Sequence, residues 1–104
     1  MKVFISQPMS DKTDDEILNK RFELTEKTIK KFKTNNKEVS FIHSFLEFIP
    51  RKNANLYFLA KSLELLSDAD VAVFAKDWEK YRGCIIERLC CEEYGIKVID
   101  ETEL

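Results

Sequence analysis

The sequence predicts a small α/β domain of the flavodoxin-like, three-layer type: a four-stranded parallel sheet in the order 2-1-3-4, with three main helices. Three observations support this fold. Short β-prone runs alternate with longer segments of helical periodicity. Residues 71–75 are continuously apolar, as is usual for a strand buried on both faces. Strands that alternate with helices run parallel through right-handed crossovers, and 2-1-3-4 is the simplest order for four of them.

The first strand and the first helix are marked by local signals. The strand is predicted over Lys2–Ser6. A capping box follows, in which the Thr13 hydroxyl and the Glu16 carboxylate satisfy free backbone N–H groups at the start of a helix. Residues at a spacing of three or four then predict the buried face of this helix. That face consists of Leu18, Phe22, Thr25, Ile29 and Phe32. Asn35 and Asn36 are expected to end it.

The rest of the chain supplies two more helices and three strands. The second strand is predicted over residues 38–42, and Asn53 or Asn55 caps the second helix. Its apolar face is formed by Leu56, Leu59, Ala60, Leu63 and Leu66. The remaining elements are a third strand at 70–75, a third helix at Arg82–Tyr94 that ends at Gly95, and a fourth strand at 96–99.

Composition narrows the function classes. The 104 residues suffice for one domain, residues 1–104, and the net charge of −2 favours neither a nucleic-acid polymer nor a membrane as partner. No segment has the pattern of a bilayer span or a signal peptide. The three cysteines are odd in number and lack CxxC spacing, which predicts reduced thiols and a cytoplasmic location. With His43 as the single histidine, we expect no metal site, and we expect no cofactor.

The predicted topology points to one edge of the sheet as the binding site. Chain direction reverses between strands 1 and 3, and ligands of such folds bind at the carboxyl ends of the strands at that point. Loops 6–11 and 76–82 meet there, and loop 43–51 can reach the same rim. The first loop, Gln7-Pro8-Met9, lacks the glycines and hydroxyls that a flavin phosphate would need.

Glu87 is the strongest candidate for chemistry. It follows loop 76–82 and is predicted in the first turn of the third helix, where the helix dipole would keep a carboxylate ionised. An ionised carboxylate can act as a nucleophile or stabilise a cationic transition state. Gly83 lies one turn earlier and leaves room for a ligand. The alternative is a surface glutamate at the flank of the stripe formed by Ile86, Leu89 and Cys90.

Neighbouring residues have two interpretations each. Arg82 could bind a phosphate at the helix start, or pair with Asp77 or Glu79 on the surface. Trp78 and Tyr81 could stack on a base or close the loop over the core. Cys84 could be a nucleophile, because a helix N-terminus lowers the pKa of a thiol, but a packing role is favoured.

Three motifs resemble one known superfamily. VFISQPM at residues 3–9, SDADVAVFA at 67–75 and RGCIIE at 82–87 together resemble the nucleoside 2-deoxyribosyltransferase-like superfamily. The IS-x-PM first loop is similar to that of its short bacterial and phage members of unknown function. The resemblance implies that Glu87 attacks the anomeric carbon of a nucleoside, with Gly83 in the place of the family's glycine. It also implies that the base or sugar is held by Ser6, Gln7, Pro8 and Met9.

Two positions depart from the pattern of active relatives. Ser62 occupies the place of an aspartate, and Tyr81 stands where a second aspartate or a serine is common. Asp77 lies further up the same loop and is a candidate contact for the substrate. Such transferases also borrow an asparagine from a neighbour's C-terminal segment, for which no counterpart precedes Leu104. These departures favour, as an alternative, a catalytically silent module that binds or senses a nucleotide. A protein-docking domain without a small ligand is a further alternative.

The composition of the second helix predicts self-association. Tyr57, Phe58 and Leu65 lie off its main apolar stripe and widen the apolar surface beyond what one sheet contact needs. A large exposed apolar surface usually marks an interface. We therefore expect a homodimer, or a higher homo-oligomer, formed through helix 53–66. Loop 43–51 is the alternative cover for these aromatic side chains.

Overall fold

The computed structural model describes residues 1–34, 37–42 and 51–104. The strands are β1 (Lys2–Ser6), β2 (Ser40–Phe41), β3 (Val71–Phe74) and β4 (Lys97–Asp100), and the helices are α1 (Asp14–Lys33), α2 (Ala54–Leu66) and α3 (Arg82–Tyr94). Short 3₁₀ turns follow β3, at Trp78–Lys80, and β4, at Glu101–Glu103. The expectations for Asn35, Asn36, His43 and most of loop 43–51 lie outside the described residues.

The predicted fold is confirmed. All four strands are parallel and their order is β2-β1-β3-β4. Ser6 pairs with Phe74, and Phe74 pairs with Asp100, so the carboxyl ends of three strands are level. β2 pairs with β1 through only two residues and is shorter than the predicted 38–42.

The side chains of β1 alternate between two faces of the sheet. Val3 and Ile5 cluster with Leu24 of α1 on one face. Phe4 clusters with Leu66 of α2 on the other face, together with Cys91 of α3 and Phe74 of β3. One helix therefore covers one face, and two helices cover the other.

The face of α1 that packs on the sheet shares Phe32 with the predicted face but is rotated away from most of it. Leu24, Thr28 and Phe32 are buried, whereas Leu18, Phe22 and Ile29 are exposed. Burial of the polar Thr28 is possible because its hydroxyl donates to the Leu24 carbonyl at 2.7 Å. The helix carries two apolar stripes, and periodicity identifies a stripe without saying whether it faces the sheet.

The surface of α2 also differs from the prediction. Leu66 is buried and Leu59 and Leu63 are half-buried, but Leu56 and Ala60 are exposed. Tyr57, Phe58 and Leu65 are half-buried within the chain. The ring of Tyr57 contacts that of Phe58 edge-on. The Arg51 guanidinium lies 4.1 Å from the centroid of the Tyr57 ring.

The helix ends follow their sequence signals. The Thr13 hydroxyl accepts the Glu16 N–H at 3.2 Å, completing the predicted capping box. Asn53, rather than Asn55, caps α2 by accepting the Leu56 N–H at 2.9 Å. Gly95 ends α3 with a φ of 73°, the left-handed conformation that a side chain disfavours.

Replacement by alanine should destabilise the protein at Gly95 but not at Gly83. Gly95→Ala is expected to lower the free energy of unfolding by about 1 kcal/mol, because alanine is strained at positive φ. Gly83→Ala is the matched control: Gly83 is helical, and a methyl group built on it meets nothing within 4 Å. Urea unfolding of both variants checks this. Equal losses of stability would contradict the conformational role of Gly95.

Candidate functional site

Glu87 lies at the centre of the buried face of α3. It is in the second turn of the helix rather than the first, and it shares this face with Cys84 and Cys91. Only 7% of the residue is exposed, and its Oε1 atom accepts a 2.7 Å hydrogen bond from the hydroxyl of Ser6, the last residue of β1. The alternative interpretation of Glu87, a surface glutamate at the flank of the stripe of Ile86, Leu89 and Cys90, is therefore wrong, because Glu87 is buried while Leu89 is exposed.

The electrostatic state of Glu87 also differs from the expectation. Burial raises the pKa of the Glu87 carboxyl group, because a charged group loses hydration inside the protein. Hydrogen bonds from the side chains of Ser6 and Ser62 lower it, but by less than burial raises it. The helix dipole, on which the expectation of an ionised carboxylate rested, acts mainly in the first turn.

Ser62 is a partner of Glu87 that the sequence did not reveal. It is half-buried in α2, and its side-chain hydrogen bonding lowers the pKa of the Glu87 carboxyl group by less than that of Ser6 does. One strand and the two helices that cover the same face of the sheet thus meet near one polar group. The sequence offered only a weak signal: a serine among leucines in a helix that packs on the sheet.

The cysteine thiols fit packing roles. Burial raises the pKa of the Cys84 thiol to about 11, and the nearby Glu87 carboxylate adds to the rise. Burial likewise raises the pKa of Cys91 to about 11. A thiol with so high a pKa is protonated at neutral pH and is a poor nucleophile. This supports the favoured interpretation of Cys84 as a packing residue.

The first loop divides its residues between the two faces of the sheet. Ser6 points toward α3, whereas Gln7 is buried toward α1 and donates from Nε2 to the Ile17 carbonyl at 2.9 Å. Gln7 Oε1 is buried and has no hydrogen-bond partner within the described residues. Pro8 is half-buried and Met9 is exposed.

A groove of about 420 Å³ opens on the α1 side of the carboxyl edge. Three predicted site residues line it, namely Pro8, Asp77 and Tyr81. The rest of its lining is polar or charged and consists of Lys12, Glu16, Asn19, Lys20, Glu23 and Lys76. Ser6 and Glu87 do not line this groove. The predicted site residues therefore fall into two groups that face opposite sides of the sheet.

An acidic side chain after β4 organises one wall of the groove. Glu101 Oε2 lies 2.7 Å from the ammonium group of Lys20, and Glu101 Oε1 accepts the Lys76 backbone N–H at 2.9 Å. Burial alone would raise the pKa of Glu101, but these two hydrogen bonds outweigh burial and lower it. Sequence inspection missed Lys20, Lys76 and Glu101 because no local pattern joins positions so far apart in the chain.

Trp78 is held against α3 and does not line the groove. Its ring contacts Phe74 edge-on, and the Arg88 guanidinium lies 4.5 Å from its centroid. Arg88 in turn forms a two-point ion pair with Asp100 at the end of β4. These contacts match the second interpretation of Trp78, in which it closes the loop over the core.

The start of α3 is open. Tyr81 is the N-cap residue, and its side chain makes no capping hydrogen bond. Arg82 is exposed, and it has no ion-pair partner within the described residues, while Asp77 lies 3.5 Å from Lys80. The space beside Gly83 is also free of described atoms to 4 Å. Gly83 and Glu87 are four residues apart, so they lie on the same side of α3, one turn from each other.

Neither a metal site nor a membrane-spanning helix accompanies the Glu87 site in the described residues. In the described ranges, no three His, Cys, Asp or Glu side chains are placed to hold a metal ion. None of the helices there combines the length and apolar character that a bilayer crossing needs. Comparison with protein-family models, curated proteins and solved structures gives no match.

The buried carboxyl group should make stability depend on pH. Because the pKa of Glu87 is raised above its ordinary value of 4.5, the folded protein binds more protons than the unfolded chain just above that pH. The stability of the wild type relative to Glu87→Gln should therefore be greatest below pH 4.5 and fall as the pH rises through the folded pKa. Each pKa unit corresponds to about 1.4 kcal/mol.

Urea unfolding of both proteins from pH 4 to pH 8 measures this difference. Glu93→Gln, on the exposed side of α3, is the matched control for removal of a carboxylate. A relative stability that rises with pH would contradict the raised pKa of Glu87.

Proposed function

We propose that this protein binds a nucleoside or nucleotide at the carboxyl edge of its sheet and that Glu87 acts on the N-glycosidic bond. The observation that carries this proposal is the buried Glu87 carboxyl group, 2.7 Å from the Ser6 hydroxyl at the end of the central strand β1. Buried carboxyl groups with shifted pKa values occur often at functional sites. The resemblance of the first loop and the α3 start to nucleoside 2-deoxyribosyltransferase-like proteins adds the substrate class.

The chemistry proposed for Glu87 is nucleophilic. Its ionised carboxylate attacks C1′ of the sugar, and the C1′–N bond breaks with its electron pair leaving on the base, which takes up a proton. Water or a second base then attacks C1′ and releases Glu87. Hydrogen bonds from Ser6 and Ser62 favour the ionised form that this attack requires.

The open start of α3 is the proposed site for the sugar and any phosphate. Free backbone N–H groups of a helix start favour an anion, and Arg82 adds a charged donor with no partner in the described residues. The space beside Gly83 is open and lies one helical turn before Glu87. Tyr81 adjoins both this helix start and the groove on the α1 side, and it is the proposed contact for the base.

A second candidate function is a nucleotide-binding module without turnover. Two observations favour it: Glu87 is 7% exposed, and burial raises its pKa, so a smaller fraction is ionised at neutral pH. In such a module Glu87 contributes a polar contact rather than a nucleophile. The two functions differ in whether free base appears during incubation with ligand.

The role of Glu87 is tested by replacing it with an amide of the same size. Glu87→Gln is expected to abolish release of free base from a deoxynucleoside while leaving nucleoside affinity within about threefold of wild type, because the nucleophile is lost and the shape is kept. Chromatography of the base measures turnover, and calorimetry measures binding. Glu93→Gln, on the exposed side of the same helix, should behave as wild type.

Three outcomes separate the alternatives. Unchanged base release by Glu87→Gln would overturn the nucleophilic role. Binding by the wild type without base release from any nucleoside or nucleotide would support the silent module. Absence of binding to nucleosides and 5′-monophosphates would overturn both.

The role of Arg82 is tested with ligands that differ by one phosphate. A charge-assisted contact contributes about 1.5–3 kcal/mol, so the wild type should bind a 5′-monophosphate roughly tenfold to a hundredfold more tightly than its nucleoside. Arg82→Ala should remove this preference and leave nucleoside affinity nearly unchanged. Lys97→Ala is the control, because it removes a positive charge at the first residue of β4, at the amino ends of the strands and away from the proposed site. Equal wild-type affinity for the two ligands would overturn the role of Arg82.

A further inference from the structure

A long apolar stripe on α1 faces away from the sheet. Leu18, Phe22 and Ile29 are 63%, 68% and 42% exposed, and Thr25 lies between them, half-buried. These four residues are spaced by four, three and four, which is the spacing of the seam between two packed helices. The face of α1 that packs on the sheet is a different one, formed by Leu24, Thr28 and Phe32. Within the ranges that the structure describes, Leu18, Phe22 and Ile29 therefore take no part in the hydrophobic core.

The stripe differs from the exposed apolar residues of the other helices in its length along the helix. Within the described residues, α2 exposes one large apolar side chain to this degree, Leu56, and α3 exposes Ile85, Leu89 and Tyr94. The stripe on α1 extends over three turns in a single line. A soluble domain seldom leaves a contiguous apolar surface of this kind without a partner.

The charges at the two ends of α1 identify the partner. The first turn is acidic, with Asp14, Asp15 and Glu16, and the last turn is basic, with Lys30, Lys31 and Lys33. Asp15 lies three residues before Leu18, and Lys33 lies four residues after Ile29, so both continue the stripe. Neither forms an ion pair within the described part of the chain. A second α1 laid antiparallel on the first would bring each acidic turn against a basic turn, whereas a parallel pair would bring like charges together.

We propose that this face binds a second copy of the same chain, through antiparallel packing of α1 on α1. In this arrangement Leu18 of each copy lies opposite Ile29 of the other, and Phe22 lies opposite Thr25. The twofold axis passes between Phe22 and Thr25, and both pairings share one register. Asp15 of each copy then lies beside Lys33 of the other. The stripe is therefore complementary to itself in both apolar contact and charge, as a twofold interface requires.

Light scattering after size-exclusion chromatography, over a range of protein concentrations, measures the assembly. The wild type is expected at twice the mass of one chain at high concentration. Phe22→Glu should raise the dissociation constant at least about tenfold, because it places a charge at the centre of the apolar seam. Leu56→Glu makes the equivalent change at the exposed site of α2 and should leave the dimer intact. Circular dichroism confirms that each variant is folded.

A charge-swap series tests the antiparallel orientation. Asp15→Lys alone and Lys33→Glu alone should each weaken the dimer, and the double variant should restore it, because it re-forms both ion pairs with reversed polarity. A wild type that is monomeric at every concentration overturns the proposal, whether or not another segment of the same chain covers the stripe. A dimer that survives Phe22→Glu and is lost in Leu56→Glu also overturns it and places the interface on α2. Failure of the double variant to recover overturns the antiparallel register.

Discussion

The central position of β1 is the constraint on which the carboxyl edge depends. β1 is hydrogen bonded to β3 up to Ser6 and to β2 at its start, and this pairing fixes the direction of its side chains. Its alternation therefore directs Ser6 toward α3 and Gln7 toward α1. The two compartments of this edge, the buried carboxyl group and the charged groove, follow from that single alternation. A shift of one residue in the register would exchange the two side chains between the faces.

Much of the fold was predictable because local signals agree with one another. The capping box at Thr13, the cap at Asn53 and the stop at Gly95 each specify a helix end through one hydrogen bond or one backbone angle. The strand order followed from the chain order and the handedness of crossovers. The helix ends depend on residues close in sequence, and the strand order depends on the right-handedness of crossovers. Both can therefore be predicted from a single sequence.

The orientation of the helices was less predictable. α1 carries two apolar stripes, and the more regular one, with Leu18 and Phe22, is the exposed one. On α3, the inward position of Glu87 depends on hydroxyl groups from β1 and α2, which lie 81 and 25 positions earlier in the chain. A polar residue can face a core only when such distant partners exist. The sequence of α3 alone does not identify these distant partners. Glu87 was therefore predicted as a candidate residue, but its burial and its raised pKa were not.

The side chains that follow β4 have a consequence for the order of events in folding. Ile99 packs in the same core as Leu24 and Phe32 of α1, and Glu101 binds Lys20. The part of the α1 core that Ile99 supplies, and the Glu101 partner of Lys20, therefore form only after the last strand has been synthesised. During synthesis on the ribosome, the sheet-facing side of α1 would stay partly uncovered for most of the elongation time. Completion of the domain is thus a late, cooperative event that joins the two ends of the chain.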